Sequence, residues 1–340
     1  MMLWWMPLIA GAQEAPVEGW GRIDHDGVVI VRPFGESYRE GFVGDSLYGA
    51  GVAAARARPD RYDFVLVFES NDSTHRNATS LAFYRAANRD LPGTGTPSRT
   101  DEDLRAGALI YMNKPGSWDF RLPERTRRTF CHELGHHWLG RARFATEGPD
   151  SFDLLGRSFS HWSYFLNTGN APLEGNAWVD NGDGTFTTQP ERGFGPFFGL
   201  DLYLMGLLDP SNVEPLWYVA PDDPFAISAG ERPDPVAMRD PTTVSGRRVD
   251  VDIDQVLDAM GRVPRATGKP EHRFLTVLAA GPTVVVEDAE LEQIHALEAS
   301  FVDAWRFCTG DRSSVRFESA EDFVPSTIDA PALIPRGAQW

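Results

Sequence analysis

Five residues constrain this chain more than any others: His132-Glu133-Leu134-Gly135-His136, an HExxH. They call for a helix, because helical geometry puts side chains four apart on one face, about 5–6 Å from each other. Two imidazoles so placed share one Zn²⁺ at about 2.0–2.1 Å each. Glu133 lies about 100° further round, too far to ligate beside them yet near enough to serve as base toward a water that the metal activates. The flanks agree with this reading. Pro123 and Glu124 suit a first turn, where the missing N–H costs nothing and a carboxylate favours the helix dipole. Phe130, Leu134 and Trp138 recur every four residues as one apolar stripe. The two histidines and Glu133 fall on the other side, and Gly140 supplies a helix end.

A catalytic zinc needs a third protein ligand and an open fourth position. Downstream of the helix the candidates are His161, Glu147, Asp153, Glu174, Asp180, Asp183 and Asp201. His161 is preferred, since imidazole is the commonest metal ligand and the aromatic neighbours in Ser160-His161-Trp162-Ser163-Tyr164 can hold its ring. Glu174, in Leu173-Glu174-Gly175-Asn176, is the alternative and would complete a His₂Glu set like that of thermolysin. His137 follows the motif on another face and reads as structural support. The Asp180–Asp183 turn offers carboxylates for Ca²⁺, but its spacing departs from the EF-hand loop and favours a plain β-turn.

The rest of the chain reads as α+β. A helix is expected around Ser46–Arg58 and strands at Tyr62–Glu69 and Ala108–Asn113, the second placed as an edge strand lining a cleft. Leu91–Ser98 is a loop by its glycines and prolines. From Gly140 to about residue 200 the chain looks irregular and aromatic, with a turn at Asn181–Thr185. Leu200–Leu208 is a compact apolar element, and residues 210–245 resemble a long connection. Val249–Met260 reads as a strand entering a helix and Phe274–Ala279 as a strand. Glu287–Phe307 reads as a helix with Leu291, Ile294, Leu297, Phe301 and Trp305 on one side. The expected organisation is a leader at 1–12, an N-terminal subdomain at 13–140, a lower subdomain at 141–210 and a C-terminal α/β extension at 211–340.

These residues together resemble the metzincin clan of zinc peptidases. The match is HELGH on a helix, Gly140 closing it, a later His161, and Met205 in the apolar turn Tyr203-Leu204-Met205-Gly206. Gly140 falls four residues after His136 rather than three, and His161 lies far beyond it. That layout is closer to the leishmanolysin-like branch, and is similar to uncharacterised secreted bacterial metallopeptidases with SHWS and LDLYLMGL segments. The resemblance covers roughly Ala108 to Leu208. It implies a twisted mixed sheet with the active-site helix, an irregular lower subdomain, and a Met-turn at Met205 beneath one catalytic zinc.

The expected activity is hydrolysis of a protein or peptide substrate, with Glu133 as base and Tyr203 or Tyr164 as candidate hydrogen-bond donors to the developing oxyanion. The competing readings are the His₂Glu hydrolase and an exported binding or adhesion module whose zinc is structural. A net charge of −17 argues against a nucleic-acid partner. The N-terminal run ending in Ala10-Gly11-Ala12 resembles a secretory signal and suggests an exported protein, with no segment suited to span a membrane. In such a compartment the two cysteines, Cys131 and Cys308, either pair or remain separate buried thiols. Oligomeric state has no sequence signal.

Overall fold

The segment FVLVFE at 64–69 is buried at all six residues, which requires a covering layer on each face of its sheet. The computed structural model describes residues 20–25, 27–33, 44–56, 62–72, 82–89, 98–99, 106–118, 123–189, 194–223, 241–281 and 284–318. In chain order these form β1 (Trp20–His25), β2 (Val28–Pro33), α1 (Gly44–Arg56), β3 (Phe64–Glu69), β4 (Phe83–Ala86), β5 (Asn88–Arg89), β6 (Ser98–Arg99), β7 (Ala108–Tyr111), α2 (Pro123–Gly135), β8 (Trp162–Asn167), β9 (Glu174–Asn176), β10 (Trp178–Asp180), β11 (Thr185–Thr188), α3 (Gly199–Leu204), β12 (Leu216–Pro221), β13 (Thr243–Val251), α4 (Ile253–Met260), β14 (Glu271–Ala279), α5 (Asp288–Thr309) and β15 (Ser314–Phe317). The fold is mixed α+β, with two mixed sheets.

The first sheet runs β1-β2-β14-β3-β7-β4, with β15 beside the start of β14. Its centre is parallel, while β1 and β4 are antiparallel to their neighbours. Strand periodicity sorts the two faces. Val65 and Val67 pack in one core cluster with Leu47, Ala50 and Ala54 of α1. Phe64, Leu66 and Phe68 pack in another with Phe130 and Leu134 of α2 and Phe301 of α5. The sheet is therefore a filled layer between α1 and the α2–α5 pair. Phe130 stacks flat on Phe301, with centroids 4.3 Å apart and planes 6° from parallel. Leu291, Ile294, Leu297, Phe301 and Trp305 are all buried, as the periodicity of α5 predicts. Cys131 on the back of α2 and Cys308 near the end of α5 form a disulfide. Of the two outcomes left open by the sequence, pairing is the one realised.

The second sheet runs β10-β11-β13-β12-β8-β9 and is antiparallel except for β8 with β9. Asp252 caps α4 with a reciprocal box through Gln255, so Val249–Met260 is a strand leading into a helix, as expected.

Four expectations need correction. β7 is not an edge strand: β3 and β4 occupy both of its sides, and β4 is the edge among the described residues. The stretch 141–200 is not simply irregular, since β8 to β11 lie in it; strands of three to six residues are too short to show a period in sequence. Residues 210–245 contain β12, which pairs with β13 along all six of its residues. Residues 211–340 are not an extension. They supply β14, which lies between β2 and β3, and α5, which covers α2. The expected leader at 1–12 and most of the Leu91–Ser98 loop lie outside the described residues.

Linking Cys131 to Cys308 closes a loop of 177 residues, which restricts the unfolded chain. A Cys131→Ser/Cys308→Ser double variant is therefore expected to lose about 3–5 kcal/mol of unfolding free energy. Urea titration of the two proteins checks this; equal midpoints and slopes would remove the cross-link from the stability account.

Candidate metal centre

Three imidazoles converge at the C-terminal end of α2. His132 and His136 come from the motif, and His161 comes from the turn just before β8. Regular helix stops at Gly135, five residues short of the Gly140 end expected. The next turn nevertheless keeps helical bonding, with His136 N donating to His132 O at 3.2 Å and Leu139 N to Gly135 O at 2.9 Å. The i, i+4 alignment of the two histidines therefore survives.

His132 Nε2 lies 3.2 Å from His136 Nε2 and 3.2 Å from His161 Nε2. Two nitrogens bound tetrahedrally to one zinc stand about 3.3–3.4 Å apart. The second nitrogens determine what faces the centre. His132 Nδ1 donates to Pro172 O at 2.9 Å, and His161 Nδ1 to Arg157 O at 3.2 Å, with Ser160 Oγ 3.1 Å from the same atom. A carbonyl only accepts, so in the neutral rings the hydrogen sits on Nδ1 and both Nε2 atoms present lone pairs to each other. Two facing lone pairs need a cation between them. A proton does not fill that role near neutral pH, because burial pushes His132 down to about 3, helped by the nearby charges of Arg128 and Arg157. The donor set and spacing fit a tetrahedral divalent metal.

Glu133 is buried beside this group, with burial pushing its carboxyl up to about 8 against the opposing pull of Arg157 and a hydrogen bond from the Tyr84 backbone. Tyr84, on the edge strand β4, also brings its ring centroid to 6.1 Å from His136 and shares a hydrogen bond of 3.2 Å with His137 Nδ1. His137 is buried, edge-on to Phe64 at 4.9 Å, the structural role read from the sequence.

Backbone packing fixes where His161 sits. Gly140 has φ +73°, and a Cβ there would stand 2.0 Å from Ser160 O. Only glycine lets the end of the motif helix touch the loop carrying the third histidine. That loop holds Ser158 at φ +58° and Phe159 at φ +50°, a left-handed pair of non-glycine residues three and two positions before His161. Behind it, Trp162 Nε1 donates to Asp201 Oδ1 at 2.8 Å, tying β8 to α3. Asp201 is fully buried, which raises its carboxyl well above the usual range.

The other sequence candidates take different roles. Met205 is buried at the end of α3, in a tight turn where Gly206 takes φ +72°. Tyr203 is 1% exposed and its hydroxyl accepts from Val263 N at 2.9 Å, which commits it to the core rather than to an oxyanion. Tyr164 is half-buried on β8, and its hydroxyl favours the charged form of Glu174. Glu174 lies beside the triad, but its Oε1 takes both Arg157 Nε and Nη2 at 2.6 Å. The Asp180 and Asp183 carboxylates accept from Gly182 N and from Thr185 N and Oγ1, so they close a hairpin turn. Among the described residues the group close enough to hold a metal ion is the histidine triad, not this turn. Arg157 and Tyr84 were not visible as site residues in the sequence, because neither belongs to a motif and both reach the site through tertiary folding.

No family model matches the chain, and neither curated proteins nor solved structures give a match.

Gly140→Ala is expected to weaken zinc binding by about 10–100-fold, since the clash displaces His161. Gly182→Ala is the control, because Gly182 also has positive φ but nothing lies within 4 Å of its Cβ position. Chelator competition measures both; equal affinities for the two variants would contradict the role given to Gly140.

Proposed function

We propose that the protein is a zinc-dependent endopeptidase. The observation that carries this reading is the convergence of His132, His136 and His161 beside a buried acid, Glu133. The three imidazoles would hold the ion and leave a position open. When bound there, zinc supplies Lewis acidity and lowers the pKa of a water molecule. Glu133 is placed one residue along the helix from His132. It accepts a proton from the attacking water and delivers it to the leaving amine.

The metzincin resemblance fits this assignment through the motif, the distant third histidine and the turn at Met205. The proposed setting is secretory or extracellular, supported by the Cys131–Cys308 disulfide, which persists in oxidising compartments. No helix among the described residues is long and apolar enough to cross a membrane.

Glu133→Gln is expected to lower peptide hydrolysis by about 10²–10⁴-fold while one zinc per chain is retained. Hydrolysis of a casein substrate and elemental analysis of the same preparation check the two halves. Full activity in the zinc-loaded variant would remove Glu133 from the proton-transfer role. His161→Ala should lose the metal and Glu174→Ala should keep it; the reverse result would move the third ligand to Glu174.

A further inference from the structure

Glu174 is placed where a fourth ligand would be. Its Oε1 lies 3.9 Å from His161 Nε2. Its side chain is 7% exposed, and its buried Oε2 accepts no hydrogen bond of good geometry, the Tyr164 hydroxyl being the further neighbour that favours the charged carboxylate. A buried carboxylate oxygen so weakly satisfied would be completed by coordination to an ion held by the triad. Its backbone is held firmly. Glu174 takes φ +80°, a left-handed conformation for a non-glycine residue, and Thr168 Oγ1 donates to its carbonyl at 3.0 Å. Pro172, two residues earlier, carries the carbonyl that orients His132. The carboxylate therefore cannot leave the site; only its side-chain direction is free to change.

What sets that direction is Arg157. Its Nε and Nη2 both grip Oε1 at 2.6 Å, a charge-assisted contact. The carbonyl of the same residue accepts from His161 Nδ1 at 3.2 Å. A guanidinium beside a dication is itself unfavourable, and Glu174 neutralises it. Each partner makes the other tolerable.

We propose that Arg157 is a positioning residue that holds Glu174 out of the metal's coordination shell and so keeps the fourth position open. This deepens the zinc-peptidase reading and rests on it, because an open position separates a catalytic site from a closed structural one. Without Arg157, the carboxylate turns to the ion and converts the site into a closed His₃Glu shell.

The test uses the full chain loaded with Co²⁺, whose visible spectrum reports coordination, and acetohydroxamate as a probe for the open position. In the wild type acetohydroxamate is expected to change the cobalt spectrum. Arg157→Met should bind cobalt at least as tightly, lose the acetohydroxamate response, and lose about 10–100-fold of hydrolysis in the zinc form. Arg157→Met/Glu174→Gln should regain the response. Glu174→Gln alone should keep the wild-type spectrum and acetohydroxamate response while binding cobalt less tightly, because Arg157 then loses its counter-charge, a check that does not depend on the Arg157 variant folding. An unchanged response in Arg157→Met, no recovery in the double variant, or a spectral change in Glu174→Gln overturns the proposal and leaves the peptidase reading standing. Absence of cobalt binding in the wild type overturns both.

Discussion

Two imidazole nitrogens that present lone pairs to each other across 3.2 Å repel unless a cation lies between them. Much of the surrounding structure can be understood as what holds the rings in that arrangement. α2 is fixed from behind by the Phe130–Phe301 stack and the Cys131–Cys308 bond, so the face carrying His132 and His136 has little freedom to turn. His161 arrives through two left-handed residues and a contact that only Gly140 permits. Carbonyls of Pro172 and Arg157 fix which nitrogen of each ring carries hydrogen. These features cost conformational energy, which binding of a metal ion by the triad would offset.

The chemistry around the triad is arranged by burial more than by charge. Desolvation lowers His132 and raises Glu133, so burial favours the neutral form of both groups. Arg157 opposes the second effect and favours the first, and it also holds Glu174. One side chain thus acts on His132, on Glu133 and on Glu174.

Helices α2 and α5 were legible because each carries a long periodic signal. α5 shows five apolar residues on one side over fifteen positions, and α2 pairs an apolar stripe with a metal motif. β3 and β14 were legible as apolar runs, since strands in the middle of a parallel sheet are buried on both faces. The second sheet was not, because its strands between 162 and 188 are short and interleave aromatic with polar residues. The role of β14 was hidden for a different reason. A strand's place in a sheet depends on pairing partners more than 200 residues away in β2 and β3, and no local pattern encodes that. At the site, His132, Glu133 and His136 follow from spacing alone. His161 could be chosen as a residue type in an aromatic setting, but its distance from the motif pair is a tertiary fact. Arg157 and Tyr84 had no motif to mark them.

X-ray absorption at the zinc edge tests the central claim most directly. Zinc-loaded protein should show one ion per chain, bound by three imidazoles at about 2.0–2.1 Å with an oxygen scatterer completing the shell. A spectrum fitted by two imidazoles, or protein that retains no zinc after dialysis against a weak chelator, would contradict the account.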